Sequence, residues 1–440
     1  MQYLKWFLIV VVILLVGGYW YAHPLLKVGA GYAAKMACSC HYIQGRDLEN
    51  IKAEDLNYSA LPLVKLSHNQ EKKTIKASFF GLISQRAQFI EGRGCVLIVD
   101  ENQPMPTEVS ASPMAAIVTP LPTYDTLPKG LNKEALEQAV QNAFLSLPGG
   151  GTRGLVILHD GHLIHEKYAP GFTKDTRLLG WSMTKSITNA LVGVLVKNGQ
   201  LSLQQDHLFP EWEEDERANI TLADLLHMNS GLEWNEAYGG VSDATKMLYT
   251  QPDMAAYSRA KPAAFTPNTN WVYSSGTTNL LSDLIRQTLG NDQAYHNLVQ
   301  DSLFNTIGMH SAQMESDQSG TFVGSSYGWA TARDWARFGQ LYLQDGQWDG
   351  YPVLPAGWVD FSREVAAGSE GVYGAQIWLP DPEELSDVPS DLFMFRGYQD
   401  QRIVIIPSRK VVMVRLGMNE DKTFPLGKFI DEVLAALPPN

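Results

Sequence analysis

The stretch GWSMTKSITNALVGVLVKNGQ, Gly180 to Gln200, constrains this chain more than any other. Ile187, Ala190, Leu191, Val194 and Leu195 recur with the period of one helical face, and Asn198-Gly199 supplies a stop. A largely buried helix is therefore expected from about Met183 to Lys197. Any fold that accepts this segment must also accept Lys185 in its first turn, three residues after Ser182 and on the same face. Burial among Trp181, Met183 and the apolar stripe, with the positive end of the helix dipole, pushes such an amine towards neutrality. A neutral amine beside a hydroxyl can take its proton and turn a weak alcohol into an acylable nucleophile. The spacing alone is common, and an ordinary capped helix start accounts for it as well. A second copy, Ser258 and Lys261, is interrupted because Pro262 drives Lys261 out of the helical region.

The chain has 440 residues, 45% hydrophobic and 18% charged, which fits a globular protein of more than one domain. Residues 1–23 contain an uncharged run from Trp6 to Ala22 that ends in Tyr19, Trp20 and Tyr21, an interfacial belt rather than a small-residue processing site. The expectation is an uncleaved, single-pass inner-membrane anchor with the remainder facing the periplasm; a cleaved signal peptide and a secreted periplasmic protein is the rival. Residues 24–125 form a small N-terminal segment with linker. Partly alternating residues between 60 and 100 predict a small β-rich layer, and six prolines from Pro104 to Pro128 read as a linker laid along a surface. In an oxidising compartment Cys95 can pair with Cys38 or Cys40. A metal site with His41 lacks a second ligand pair.

The net charge of −13 is carried by the part from Thr126 onward, which excludes nucleic acid as a natural partner. This second domain, 126–440, opens with a helix expected at Lys133–Leu145 and a hairpin turning at Asp160-Gly161. The hairpin histidines His159, His162 and His165 invite a metal, but His165 falls on the face opposite the other two, so no metal is expected. Helices are expected at Thr278–Leu289 and Thr331–Leu343, and two closing strands meet at Pro407-Ser408. Strands at both ends with helices between predict an α+β architecture, an antiparallel sheet with an inserted helical region.

Downstream, NTNWVYSSGTTNLLSDLIRQ presents Tyr273 and Ser275 at the mouth of the next helix. Ser-x-x-Lys on a buried helix, then Tyr-Ser-Ser-Gly, then a glycine-bearing C-terminal strand, resembles the penicillin-recognising serine hydrolases. The nearest branch is the class C β-lactamase-like group with its esterases and 6-aminohexanoate-oligomer hydrolases. LLHMNSGLEW, around His227 to Trp234, and ATARDWARFGQLYLQDGQWDGYPVLPAGWV, from Ala330, are similar to it too, and the likeness spans roughly 131–435. The resemblance implies a β-lactamase/transpeptidase-like fold and an acyl-enzyme on Ser182, with Lys185 as base and Tyr273 as second proton carrier. It implies a small amide or ester substrate and no cofactor. A phenol near an ammonium is easier to ionise, so Tyr273 and Lys185 are expected to share one proton. The Ser182 amide is one oxyanion donor, and the partner amide is expected from the strand holding Gly397 and Tyr398.

The departures from that pattern are specific. β-Lactamases of this fold carry Tyr-x-Asn and a Lys-Thr-Gly strand; here Ser275 stands in the asparagine's place and RGYQDQ replaces Lys-Thr-Gly. Arg396 is a candidate cation or a solvated strand residue, and Asp400 falls where many relatives have glycine. A β-lactamase or DD-peptidase acting on peptidoglycan-type substrates is the alternative enzyme, and a non-catalytic sensor module the alternative outside enzymology. GSSYG, Gly324–Gly328, formally matches a nucleophile elbow, but no histidine follows His310 to serve Ser326. His227, among Leu225, Leu226 and Met228, reads as a structural histidine. Trp234, Tyr238, Trp271 and Trp329 are candidates to line the cleft or to fill the core.

Overall fold

The computed structural model describes residues 2–110 and 119–438; part of the expected linker, residues 111–118, lies outside the described residues. Helix α1, Gln2–Tyr42, runs through the expected anchor and on past residue 23, with Pro24 inside it. Its halves meet different surroundings. Most apolar side chains from Leu4 to Leu14 are exposed, Val11 being partly covered, whereas Ala30, Ala33, Ala34, Ala37 and Cys38 are completely buried. Among the described residues this is the one helix long and apolar enough to span a membrane or to serve as a signal sequence, with a mean hydropathy of 1.9 over its apolar window.

The small residues of the second half let α1 lie against a four-stranded antiparallel meander. This is β1 (Lys65–Asn69), β2 (Thr74–Phe79), β3 (Ile83–Ile90) and β4 (Gly94–Ile98), in that order. Helix α2 (Leu48–Glu54) also packs on α1. A disulfide joins Cys38 of α1 to Cys95 of β4, and Cys40 is left as a buried free thiol.

The larger unit starts with α3 (Lys133–Ala143) and the hairpin β5 (Gly151–His159) and β6 (His162–Tyr168). Asp160 and Gly161 both have positive φ, as a two-residue hairpin turn demands. A helical region follows, containing the short strand β7 (Leu178–Leu179), α4 (Thr184–Lys197), α5 (Leu222–His227), α6 (Asp243–Thr250), α7 (Met254–Arg259), α8 (Ser275–Leu289) and α9 (Asp292–Asn297). Then come β8 (Gln313–Met314), β9 (Gly328–Ala330), α10 (Ala332–Leu343), the tight pair β10 (Gln347–Trp348) and β11 (Tyr351–Pro352), and α11 (Trp358–Arg363). The chain returns to the sheet through β12 (Phe393–Gly397), β13 (Gln401–Ile406) and β14 (Val411–Met418), and closes with α12 (Leu426–Ala436). The five-stranded antiparallel sheet has the order β12-β13-β14-β5-β6, so its first and last segments are neighbours and the helices are an insertion between them. That is the expected α+β arrangement.

Alternation along β5 divides the core. Leu155 and Ile157 face the layer of α3 and α12, while Val156 and Leu158 face α10 and the inserted helices. Gly339 lets α10 approach the sheet, since a Cβ there would meet the Val412 side chain at 2.6 Å.

The two units share a core rather than a linker alone: Trp181, Tyr249, Tyr327 and Trp329 cluster with the α1 alanines. At the centre of this seam is Glu315, with no solvent exposure. It pairs with Lys35 of α1 at 2.8 Å and accepts from Ser39 Oγ at 2.9 Å, the Cys95 amide at 2.7 Å and the Trp329 indole at 2.7 Å. A buried carboxylate is tolerable only when paired and fully hydrogen-bonded, as here. Glu315→Ala leaves the Lys35 ammonium buried without its counter-ion and should cost about 3–5 kcal/mol, measured by urea unfolding of the full chain in detergent. A cost under about 1 kcal/mol would show that the seam is held by its apolar contacts instead.

Candidate active site

Ser182 does not stand on the first α-helical turn. Residues Trp181–Met183 form a 3₁₀ turn and α4 begins at Thr184. Lys185 is the second residue of α4, so the pair spans the junction between the two turns. Lys185 Nζ lies 3.1 Å from Ser182 Oγ. Trp181 has φ of +48°, a left-handed conformation that a large side chain rarely adopts. Packing imposes it: the indole stacks on Tyr32 of α1 at 6.3 Å and meets Tyr398 at 5.8 Å and Tyr327 at 6.2 Å.

The Lys185 amine is 1% exposed. Besides Ser182 it reaches Ser275 Oγ at 3.0 Å and the Ser325 carbonyl at 3.0 Å. None of these is a carboxylate. Burial therefore pulls its pKa down to about 8, and the charge of nearby Glu236 opposes the shift without cancelling it. The amine also sits over the Tyr273 ring, 4.8 Å from its centroid.

Tyr273 departs from the expectation drawn from its residue type. Its phenol is pushed up by burial first and by Glu236 second, with a hydrogen bond to Ser182 and the Arg396 charge opposing. Lys185 is under the ring face, Glu236 is the dominant charge, and the phenol is harder to ionise, not easier. Burial thus strengthens the phenol's hold on its proton and weakens the amine's.

Glu236 is the principal residue that the motifs did not reveal. Its carboxylate accepts from Ser275 Oγ at 2.5 Å, the Ser275 amide at 2.9 Å, Tyr238 Oη at 2.5 Å and the Trp234 indole at 2.5 Å. It holds Ser275, one of the two hydroxyls on Lys185. The signal available in the sequence was the carboxylate in LEWNEAY, flanked by aromatics that had themselves been considered for the cleft. Ser325 was missed for another reason. GSSYG matches a nucleophile elbow only formally; what it supplies is the Ser325 carbonyl on Lys185, with Ser326 Oγ bonded to Ser325 Oγ at 2.9 Å.

The other candidates divide. Gly397, at the end of β12, lies so close to the Ser182 turn that a Cβ would come within 2.1 Å of the Gly180 carbonyl. Tyr398 lines the same cavity as Ser182. Gln399 and Asp400 both have φ near +59°, and Asp400 accepts from Arg402 and from the amides of Lys422, Thr423 and Phe424. With Asn419 Nδ2 as a fifth donor, the carboxylate is fully satisfied, and a short polar side chain tolerates the left-handed region. Arg396 is not a free cation: it pairs with Glu384 at 3.0 Å and lies over Trp378. Trp329, expected at the cleft, is buried with its indole on Glu315 in the seam and does not line the cavity at Ser182. Trp271 packs with Tyr273, Tyr373 and Trp378. His227 bonds the Ala223 carbonyl at 3.0 Å, and His165 bonds Glu137 at 2.7 Å. Lys261 turns away from Ser258 to pair with Asp243.

The amine has a readable signature. Below about pH 8 it is charged and cannot accept the Ser182 proton; above, it can. Reaction of Ser182 with a fluorophosphonate should therefore rise with pH through a midpoint near 8. Because Glu236 raises the amine's pKa, Glu236→Gln should move that midpoint down. An unmoved midpoint, or a flat profile, would mean that Lys185 is not the group being titrated.

Comparison with known proteins places this geometry. A family profile described as Beta-lactamase matches residues 136–427. A 6-aminohexanoate-dimer hydrolase of Paenarthrobacter ureafaciens is 26% identical over 320 residues, covering 66% of this chain and 75% of that protein. Among solved structures, a penicillin-binding protein homologue from Caulobacter crescentus superposes with a TM-score of 0.56 at 15% identity, over 71% of this chain and 99% of the other. A family VIII carboxylesterase gives a TM-score of 0.55 at 15% identity, with the same shares. These structural likenesses establish a common fold, the β-lactamase/transpeptidase-like one. With the family match extending over well more than half of the sequence, the chain belongs to the Beta-lactamase family of hydrolases.

Proposed function

We propose that this protein is a serine hydrolase that cleaves amides or esters through an acyl-enzyme on Ser182. The single observation that carries it is the Ser182 hydroxyl 3.1 Å from a buried amine whose pKa lies near 8. Lys185 takes the Ser182 proton as Oγ bonds to the substrate carbonyl carbon. Tyr273, protonated and bonded to Ser182, hands a proton to the departing alcohol or amine and is reprotonated by the Lys185 ammonium; the neutral amine then takes the proton of the attacking water and returns it to Ser182 Oγ as the acyl group leaves. The Ser182 amide and the end of β12 at Gly397 and Tyr398 supply the oxyanion contacts. The scheme asks for no metal or cofactor. Similarity to a 6-aminohexanoate-dimer hydrolase and to a family VIII carboxylesterase is in keeping with either substrate class.

A β-lactamase or DD-peptidase activity is less well supported. The Lys-Thr-Gly strand is missing, and Arg396 is neutralised by Glu384 rather than free to hold a substrate carboxylate. A non-catalytic sensor is opposed by the presence of Ser182, Lys185 and Tyr273 in contact with one another.

We further place the chain in the inner membrane as a single-pass protein, anchored by residues 1–23, with the hydrolase domain in the periplasm. The exposed apolar half of α1 supports the anchor, and the Cys38–Cys95 disulfide supports an oxidising compartment. The protein should fractionate with membranes and retain its amino terminus; amino-terminal sequencing that begins beyond Ala22 would refute this.

Ser182→Ala should abolish both fluorophosphonate labelling and p-nitrophenyl acetate hydrolysis, while Ser258→Ala keeps most of each. Lys185→Arg should be nearly as damaging as Lys185→Ala, since guanidinium keeps the charge but cannot accept a proton. Tyr273→Phe should slow turnover by about 10²–10⁴, and the losses in Lys185→Ala and Tyr273→Phe should not add, because both act on one proton path. Labelling retained in Ser182→Ala, read by mass spectrometry, would sink the assignment.

A further inference from the structure

The cavity that opens on Ser182 has a volume of about 460 Å³, and much of its wall does not come from the hydrolase domain. Leu25, Leu26, Val28 and Gly29 of α1 line it, together with Leu61 and Phe79 of the N-terminal unit. The wall is set rigidly. A Cβ on Gly31 would meet the Tyr249 carbonyl at 2.7 Å, and one on Gly29 would meet the Phe79 ring at 3.3 Å. Glycines at both positions let α1 dock this closely.

Position along the helix gives the cavity its meaning. Leu25 stands one helical turn, about 5 Å, after Ala22, where the exposed apolar run ends. The loop between β2 and β3 points to the same level: Phe80 is 70% and Leu82 73% exposed, and Leu82 shares a recess with His23 and Lys27 of α1. Lys76, Arg86 and Glu101 line that recess as well, with Arg86 paired to Glu101 at 2.5 Å. Exposed apolar side chains beside lysines and arginine, at the mouth of an apolar helix, are the composition of an interfacial surface. A soluble substrate requires none of this.

We infer that the substrate is a membrane amphiphile carrying a long apolar acyl chain, which passes from the bilayer surface along α1 into this cavity so that its carbonyl meets Ser182. The inference deepens the proposed serine hydrolase activity and rests on it. In the step, Ser182 Oγ bonds to the acyl carbon as its proton passes to Lys185, the bond to the head-group oxygen or nitrogen breaks, and the head group leaves with a proton from Tyr273. Water then releases the free fatty acid and regenerates the hydroxyl. Leu26, Val28, Leu61 and Phe79 keep the methylenes out of water, which offsets the apolar surroundings the chain gives up on leaving the bilayer.

The test uses the full chain reconstituted in phosphatidylethanolamine and phosphatidylglycerol vesicles, with p-nitrophenyl acetate, butyrate, octanoate and dodecanoate. The leaving group is constant, and the Ala60→Trp variant in the same vesicles separates the acyl site from partitioning of the ester into the bilayer. It should rise by roughly two- to fourfold per methylene over the first additions, with dodecanoate at least about tenfold above acetate. Ala60→Trp, which fills the cavity from the N-terminal unit, should lower the dodecanoate to acetate ratio about tenfold. A wild-type ratio at or below one, with Ser182-dependent acetate turnover intact, would overturn the amphiphile and leave the hydrolase standing. Absence of acetate turnover and of fluorophosphonate labelling would overturn both.

Discussion

A primary amine held out of water sets the terms for everything around it. Lys185 can stay in the interior because three neutral oxygens, from Ser182, Ser275 and Ser325, surround its nitrogen. They come from three separate segments: the turn before α4, the start of α8, and the loop before β9. A carboxylate in direct contact would have made the ammonium permanent. Glu236 instead stands one hydroxyl away, close enough to order Ser275 and too far to abolish the effect of burial. The balance between desolvation and that one charge leaves the amine near pH 8, where it can change state during a reaction.

Such a balance needs rigid surroundings. Helices α4 and α8 pack through Ile187, Leu191, Leu280 and Leu284 in the largest core cluster, and the sheet end at Gly397 closes against Gly180. The N-terminal unit contributes to the same rigidity. Tyr32 of α1 stacks on Trp181, whose left-handed backbone precedes the serine, and the Lys35–Glu315 pair holds α1 in place. The apolar helix and the reactive serine are thereby parts of one packed object, and the cavity between them exists only because both units are present.

A good share of this was legible beforehand. Period-3.6 and period-2 apolar patterns are written residue by residue, so α4, α8, α10, the β5–β6 hairpin and the β13–β14 pair could be read directly. The Ser182 and Lys185 pairing was legible because three residues in a helical turn fix which side chains meet. The place of Trp329 is not legible in the sequence, because an aromatic carries the same apolar signal in a cleft and in a core. Tyr273 was misjudged electrically, since the sign of a phenol's shift depends on which charges lie nearby, and Glu236 is far away in the chain.

Local pattern, then, determined the elements, the reactive pair and the apolar amino-terminal run, because each depends on residues a few positions apart. Tertiary structure alone decided that Cys38 rather than Cys40 meets Cys95, that Glu236 rather than a motif residue governs the charges at the site, and that α1 continues past the apolar run to wall the cavity. Those outcomes rest on contacts between segments far apart in sequence, where burial and Coulomb interactions follow distance in space and no periodicity records which partners will be near.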